Sequence, residues 1–241
     1  GPLQSLFETE QAGSLGKYSN PLSFFDKVVI LSPFENDRRE VDGMPVIPTA
    51  DVQLRARIRE ERVGLVRVFG GGVPAEMAVF HREPDVPVVV SIHDKRLEKI
   101  RPAVRFADAV FAASEELRSD LVIFGVRPER LFVVPGGVDL GLMRPLPPLE
   151  TADLAARYPF RRKLLHVAHK SPDKDIGSLI RALVRLGPDY GLVAIGQGDA
   201  SLSAAVAEKE GVADRCVFLP GVPGSDRVRF YSWADCVCHF G

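Results

Sequence analysis

Short apolar runs alternate along the chain with longer segments whose apolar residues recur at helical spacing. In "DKVVILSPF" the apolar run from Val28 to Leu31 predicts a buried strand. "TADVQLRARIREERV" predicts a charged amphipathic helix. "GLVRVFGGG" reads as a strand ending in glycines, "PAEMAVFHRE" as a short helix and "VPVVVSIHD" as a strongly β-branched strand. "KIRPAVRFA" reads as helical with Pro102 near its start, and "DAVFAAS" as a further strand. "SEELRSDLVIFGV" predicts a helix with Ser114 as its N-cap and Gly125 as its stop. "ERLFVVPGGVD" is a strand running into a glycine turn.

The texture then changes. "LGLMRPLPPLETADLAARYPF" is rich in proline and shows no clean strand, so it reads as a joint. After it the alternation restarts. "RKLLHVAH", "YGLVAIGQG", "DRCVFLPG" and "DCVCHFG" predict strands. "DIGSLIRALVRLG", "ASLSAAVAEKEGV" and "SDRVRFYSWA" predict helices between them. Strands spaced by helices of this length predict βαβ units on parallel sheets. The expectation is an α/β protein of two Rossmann-like lobes flanked by helices. The first covers residues 1–140, the joint 141–160, and the second 161–241. Ligands of open parallel sheets collect at the carboxyl ends of the strands. The site is therefore expected in a cleft between the lobes, although architecture alone names no reaction.

Composition narrows the class. The 241 residues are 46% hydrophobic and 26% charged, an ordinary globular balance. Lys and Arg number 31 against 32 Asp and Glu, which gives no case for bulk nucleic-acid binding. No apolar run is long enough to span a membrane, and no signal peptide is evident. Three cysteines, Cys216, Cys236 and Cys238, lack the spacing of a disulfide framework and fit a reducing cytosol. On a strand, Cys236 and Cys238 share one face. They read as small buried core residues in preference to metal ligands with His239.

Three potential cations stand where one strand hands over to a helix. In "HVAHKSPDKDIGSL", His169, Lys170 and Lys174 follow the strand, and the helix N-terminus behind them favours an anion. The competing local reading is a solvated turn, with Asp173 or Asp175 capping the helix and Lys174 paired to one of them. "AIGQGDASL" repeats the arrangement one unit later, with Gly196 and Gly198 able to admit a ligand close to backbone. In "VVPGGVD", Gly136 and Gly137 permit positive φ and a tight exit, and Asp139 suits a turn cap. His93 follows the strand of "VVVSIHDK" at its carboxyl end. His81 reads as a surface residue and His166 as a core residue. "AGSLGKY", with Gly13 and Gly16, is a possible glycine loop. There is no G-x-S-x-G elbow, P-loop, H-E-x-x-H or paired C-x-x-C.

Taken in order, these segments resemble the family 4 retaining glycosyltransferases, which have the GT-B fold. "VVPGGVDLGLMRP" resembles the family's "VPNGVD…F.P", with Gly136 in the place of Asn. "VAHKSPDKDIGSLIRAL" resembles "VGRL…KG…LI.A". The stretch from Val193 to Gly241 resembles "L.I.G.GP" through "AD.F.LPS". The resemblance implies transfer of a sugar from a nucleotide-diphosphate donor to an acceptor hydroxyl with retention, without a metal or other cofactor. It places Lys174 on the family lysine and His169 on the family arginine, both at the donor diphosphate, with Lys170 beside them. Histidine, unlike arginine, is charged only when protonated, which implies weaker or more pH-dependent donor binding. The resemblance further implies His93 near the reacting sugar and Gly13 and Gly16 beside the diphosphate. Gly196 and Gly198 fall at the donor, and Leu219 to Val222 by the nucleotide base.

The family's paired-glutamate loop would follow Gly241, and its usual first strand has no counterpart before "SLFETEQAGS". The expectation is an incomplete second lobe, a fragment with impaired or no transfer, and apolar surface covered by a further segment or an oligomer. Two other readings remain: a non-catalytic nucleotide or sugar-phosphate-binding module of the same fold, and a nucleotide-sugar epimerase-like enzyme. The expected location is cytoplasmic, peripheral to a membrane if the acceptor is lipid-linked.

Overall fold

The computed structural model describes residue 16, residues 19–93 and residues 95–239. The described chain divides into two compact units, the first ending at Gly137 and the second beginning at Val138.

Unit 1 opens with a small sheet. Strand β1 (Ile30–Ser32) pairs parallel with β3 (Met44–Pro48), which pairs antiparallel with β2 (Arg39–Val41). The apolar run starting at Val28 thus enters the sheet two residues late. The β2–β3 hairpin has no counterpart in the purely parallel sequence reading. Its signal is the Asp42-Gly43 dipeptide between Val41 and Met44; both residues have positive φ, 50° and 76°, as a tight hairpin turn requires. Helix α1 (Leu54–Glu60) buries Leu54 and Ile58 against Met77 of α2 (Val73–Phe80).

The main sheet of unit 1 is parallel in the order β4 (Val66–Phe69), β5 (Val88–Ile92), β6 (Ala109–Ala112), β7 (Leu131–Val133). Val68, Val90, Val110 and Leu131 lie across one face and pack on α2 and on α3 (Glu115–Phe124) through Ala75, Ala78, Leu117 and Leu121. Helix α3 begins as predicted: the Ser114 side chain accepts from Leu117 N at 3.1 Å. It ends on Gly125, whose φ of 104° suits the left-handed cap. Gly136 and Gly137, expected to exploit positive φ, do not adopt it.

Unit 2 holds a second parallel sheet in the order β10 (Cys216–Leu219), β9 (Tyr190–Ile195), β8 (Arg162–Val167), β11 (Cys236–Val237). Leu164 and Leu192 face α5 (Ile176–Leu186) and α6 (Ser201–Lys209). Leu165, Val193 and Ile195 face α4 (Ala152–Arg157) and α7 (Gly224–Trp233), where Phe230 and Trp233 pack. Residues 141–160, read as a joint, therefore carry a helix; its Leu154 and the following Tyr158 are buried in this core. Asp235 fixes the start of β11, because its carboxylate accepts from Lys163 N at 2.8 Å. Cys236, expected in the core, is exposed: β11 is an edge strand among the described residues and makes only two ladder pairings.

Candidate functional site

The exits of β8, β9 and β10 lie side by side in unit 2. Close approach of backbone holds them together. A Cβ on Gly196 would stand 1.7 Å from the Ala168 carbonyl oxygen, so only glycine fits there. Gly198 has φ of 105°, and a Cβ would meet the Lys170 carbonyl oxygen at 2.7 Å and His169 Cε1 at 3.1 Å. The structure thus brings His169, Lys170, Gly196 and Gly198 into one cluster.

Lys170 does something the sequence did not suggest. Its ammonium donates to the carbonyls of Gly196 and Leu219, the latter at 2.6 Å. Its own N–H donates to Gln197 O at 2.7 Å. Lys170 therefore ties three strand exits together rather than presenting its charge outward, and burial lowers its pKa. The Leu219 carbonyl also accepts from Gly196 N at 3.2 Å. That carbonyl is already hydrogen-bonded within the chain, which leaves other groups between Leu219 and the half-buried Val222 to meet a ligand.

The loop before α5 combines both readings made of it. Asp175 caps the helix, its carboxylate accepting from Ser178 N at 3.1 Å, and hydrogen bonds to Ser178 hold its pKa down. Lys174 makes a loose ion pair with Asp173 at 3.8 Å and remains part-exposed. Such a pair is worth little and leaves the ammonium open to a stronger anion. His169 is exposed, and after the hydrogen bond from Ser171 it helps, together with Lys174, to lower the pKa of Asp173.

His166, on β8, is fully buried. Its Nδ1–H donates to the Cys238 carbonyl at 2.9 Å, and its ring stacks on the exposed His239 at 6.4 Å between centroids. Its Nε2 has no hydrogen-bond partner. Burial lowers its pKa, partly opposed by the Cys238 bond and reinforced by His239 and Lys174. His166 sits where β8 lies between β9 and β11, the point at which strand order reverses and where sheets of this type bind ligands. The core reading of His166 is right about burial; the alternating pattern of "LLHVAH" gives no sign of the unpaired nitrogen.

In unit 1, His93 is exposed at the end of β5. Its ring stacks on Phe69 at 6.5 Å, and the Arg67 guanidinium lies 4.6 Å over that phenyl ring. Gly70, with φ of 83°, and the buried Gly71 form the exit beside them; Gly70 N donates to Ser91 O at 2.7 Å. A Cβ on Gly71 would crowd Ile92 and Ile100. Phe69 was missed as a site residue, although "FGGG" at a strand end was a usable signal. Gly16 donates its N–H to Asp42 Oδ2 at 3.1 Å, whereas Gly13 lies outside the described residues. Asp139 caps its own turn, accepting from Gly141 N at 2.9 Å. His81 is part-exposed and meets Asp51 at 3.0 Å. Among the described residues no group of three or more His, Cys, Asp or Glu is placed to hold a metal, and no helix is long and apolar enough to cross a membrane.

Comparison with known proteins gives this geometry a context. No curated protein matches the sequence. A glycosyltransferase from Rickettsia africae ESF-5 superposes with a TM-score of 0.72 at 14% identity, over 95% of this chain and 68% of that one. HepE from Anabaena, in complex with UDP-glucose, superposes with a TM-score of 0.65 at 20% identity, over 82% of this chain and 60% of HepE. Sucrose-phosphate synthase from Thermosynechococcus elongatus gives 0.66 at 15% identity, over 87% and 64%. The chain spans about three fifths of the HepE and sucrose-phosphate synthase chains. These likenesses establish a GT-B-like α/β fold. The profile described as Glycosyltransferase Family 4 matches residues 21–142, just over half of the sequence and most of unit 1. The resemblance read from the motifs is thereby upheld, and the chain belongs to glycosyltransferase family 4.

Proposed function

We propose that the chain serves a transferase that moves a sugar from a nucleotide-diphosphate donor to an acceptor hydroxyl, with retention and without a metal. The observation that carries this is the cluster at the exits of β8 to β10. There the exposed His169 stands beside Gly196 and Gly198, whose backbone admits no side chain, and the part-exposed Lys174 follows in the same loop before α5. A diphosphate suits cations next to bare backbone at a helix N-terminus. HepE, of the same fold, was solved with UDP and with UDP-glucose, which supports a nucleotide sugar as the ligand class.

In this reading Lys174 and His169 stabilise the negative charge that grows on the leaving diphosphate as the sugar–phosphate bond breaks. The acceptor hydroxyl attacks from the face the leaving group departs. His93 orients the sugar or the acceptor. Lys170 serves indirectly, by holding the strand exits in register.

The test is a thermal-shift titration with UDP, GDP and ADP, each beside its nucleoside. One diphosphate should raise Tm selectively, and Lys174→Ala should remove most of that shift while sparing any nucleoside effect. Equal loss of both would overturn the diphosphate assignment. Binding without release of free diphosphate, when a donor and acceptor panel is supplied, would favour a binding module of the same fold.

A further inference from the structure

Cys236 and Cys238 take no part in the cluster described above. Cys236 opens β11 and Cys238 follows its last residue, Val237; the two stand at i and i+2 with their sulfurs 4.0 Å apart on one side of the chain. Both are free thiols. Cys236 is exposed and Cys238 is half-buried. No third metal-binding side chain joins them among the described residues, so a closed zinc site is not formed.

We infer that Cys236 and Cys238 are a reversible dithiol–disulfide pair, with Cys236 as the entry thiol and Cys238 as the resolving thiol. Two steps of extended strand span about 6.4–6.8 Å. Disulfides bridge Cα atoms about 4.4–6.8 Å apart. Closure therefore requires only a modest contraction of the strand. β11 can supply it, because among the described residues it pairs on one side only, through Cys236 with Leu164 and Val237 with Leu165. A bridge closed against the extended form of its own strand is easily reduced again, as exposed and strained bridges are.

The oxidant is a small-molecule disulfide such as glutathione disulfide. The Cys236 thiolate attacks one of its sulfurs, the S–S bond breaks, and one glutathione thiolate leaves and takes a proton from water. Cys238 then gives its proton to solvent and attacks the Cys236 sulfur, releasing the second glutathione. Two protein thiols are oxidised by two electrons, and one disulfide is reduced to two thiols. Exposure sets the order. The Cys238 thiol is pushed up to about 11, first by burial and then by Cys236 beside it, so it rests protonated until the mixed disulfide stands next to it.

Closure also reaches β8. Cys238 N donates to Leu165 O at 2.8 Å, and the Cys238 carbonyl receives the Nδ1–H of His166. A contracted β11 pulls on both bonds.

The experiment equilibrates the full chain in glutathione buffers stepped from reducing to oxidising, quenches by alkylation and maps thiols by mass spectrometry. Cys236 and Cys238 should lose their alkyl groups together and appear in one peptide two hydrogens lighter. Cys216 should stay alkylated, and dithiothreitol should restore the pair. Cys238→Ser should instead accumulate a glutathione adduct on Cys236. A lasting adduct on Cys236 in the unsubstituted chain, a bridge between chains or no oxidation would each overturn the pairing. The His166 ring signals in NMR should move on oxidation; fixed signals in a fully oxidised sample would overturn the link to β8.

Discussion

The two main sheets are both parallel, yet they are covered differently. In unit 2 both faces are packed, one by α5 and α6 and the other by α4 and α7. In unit 1 one face is packed by α2 and α3. The other carries a row that runs Phe69, Ser91, Phe111, Phe132 across the strands. Phe69 and Phe132 on that row are 45% and 51% exposed among the described residues. Parallel sheets usually bury both faces. Among the described residues Ser91 on that row is buried while Phe69 and Phe132 at its ends are not, so the row is covered less evenly than either face of the unit 2 sheet. In unit 2 the exits are locked to each other by backbone contact and by Lys170.

The sharpest way to break the comparison is a methyl group at a glycine in each unit. Gly196→Ala places carbon against the Ala168 carbonyl and should cost about 3 kcal/mol or more. Gly136→Ala meets nothing within 4 Å and should be neutral or stabilise by about 0.5 kcal/mol. Urea unfolding followed by Trp233, the chain's one tryptophan and buried in unit 2, reads the first; circular dichroism reads the second. A small effect at Gly196 would mean the strand exits are not locked.

Side-chain truncation sharpens the same contrast. Leu165→Ala opens a cavity in the two-faced sheet and should cost about 2–5 kcal/mol. Phe132→Ala, on the open row, should cost under about 1 kcal/mol. Comparable losses would show that the open row of unit 1 is in fact covered.

The lysines of unit 2 separate structure from chemistry. Lys170→Met leaves the Gly196 carbonyl without its ammonium partner and should cost about 1–3 kcal/mol. Lys174→Ala loses only a loose ion pair and should stay within about 0.5 kcal/mol, while diphosphate binding falls. Chemical denaturation of both variants, beside the titration proposed above, checks the division.

What could be read from sequence follows from what pattern encodes. The β-branched run at Val88–Ile92 and the capped helix from Ser114 to Gly125 carry their own signals, because burial period and capping chemistry are local. In the β2–β3 hairpin β2 has only three residues and β3 carries two prolines among its five, so neither shows a clear period, and the Asp42-Gly43 turn is the signal that marks them. Gly136 and Gly196 look alike in sequence, but only one touches a neighbouring strand exit, a long-range fact. Lys170 and Lys174 are likewise indistinguishable as types. Which lysine turns inward depends on carbonyls 26 and 49 residues away.

The smallest effect concerns His166. Its pKa is lowered in the folded chain, chiefly by burial, below the ordinary value of about 6.5. Above that value neither folded nor unfolded chain holds the extra proton, and the contribution of the neutral ring is fully present. As pH falls through about 6.5 the unfolded chain binds a proton that the folded chain refuses, so stability declines by at most about 1.4 kcal/mol per pH unit. The decline ends where the folded ring itself protonates. The lowered carboxylates act below their ordinary values, 3.8 for Asp153, Asp173, Asp175 and Asp199 and 4.5 for Glu61, so they fall below this window. Trp233-monitored unfolding between pH 7.5 and 5 should therefore show a slope that His166→Leu flattens, even though the variant starts lower for want of the bond to Cys238. An unchanged slope would place the proton-sensitive group elsewhere and leave the two units alike in their response to acid.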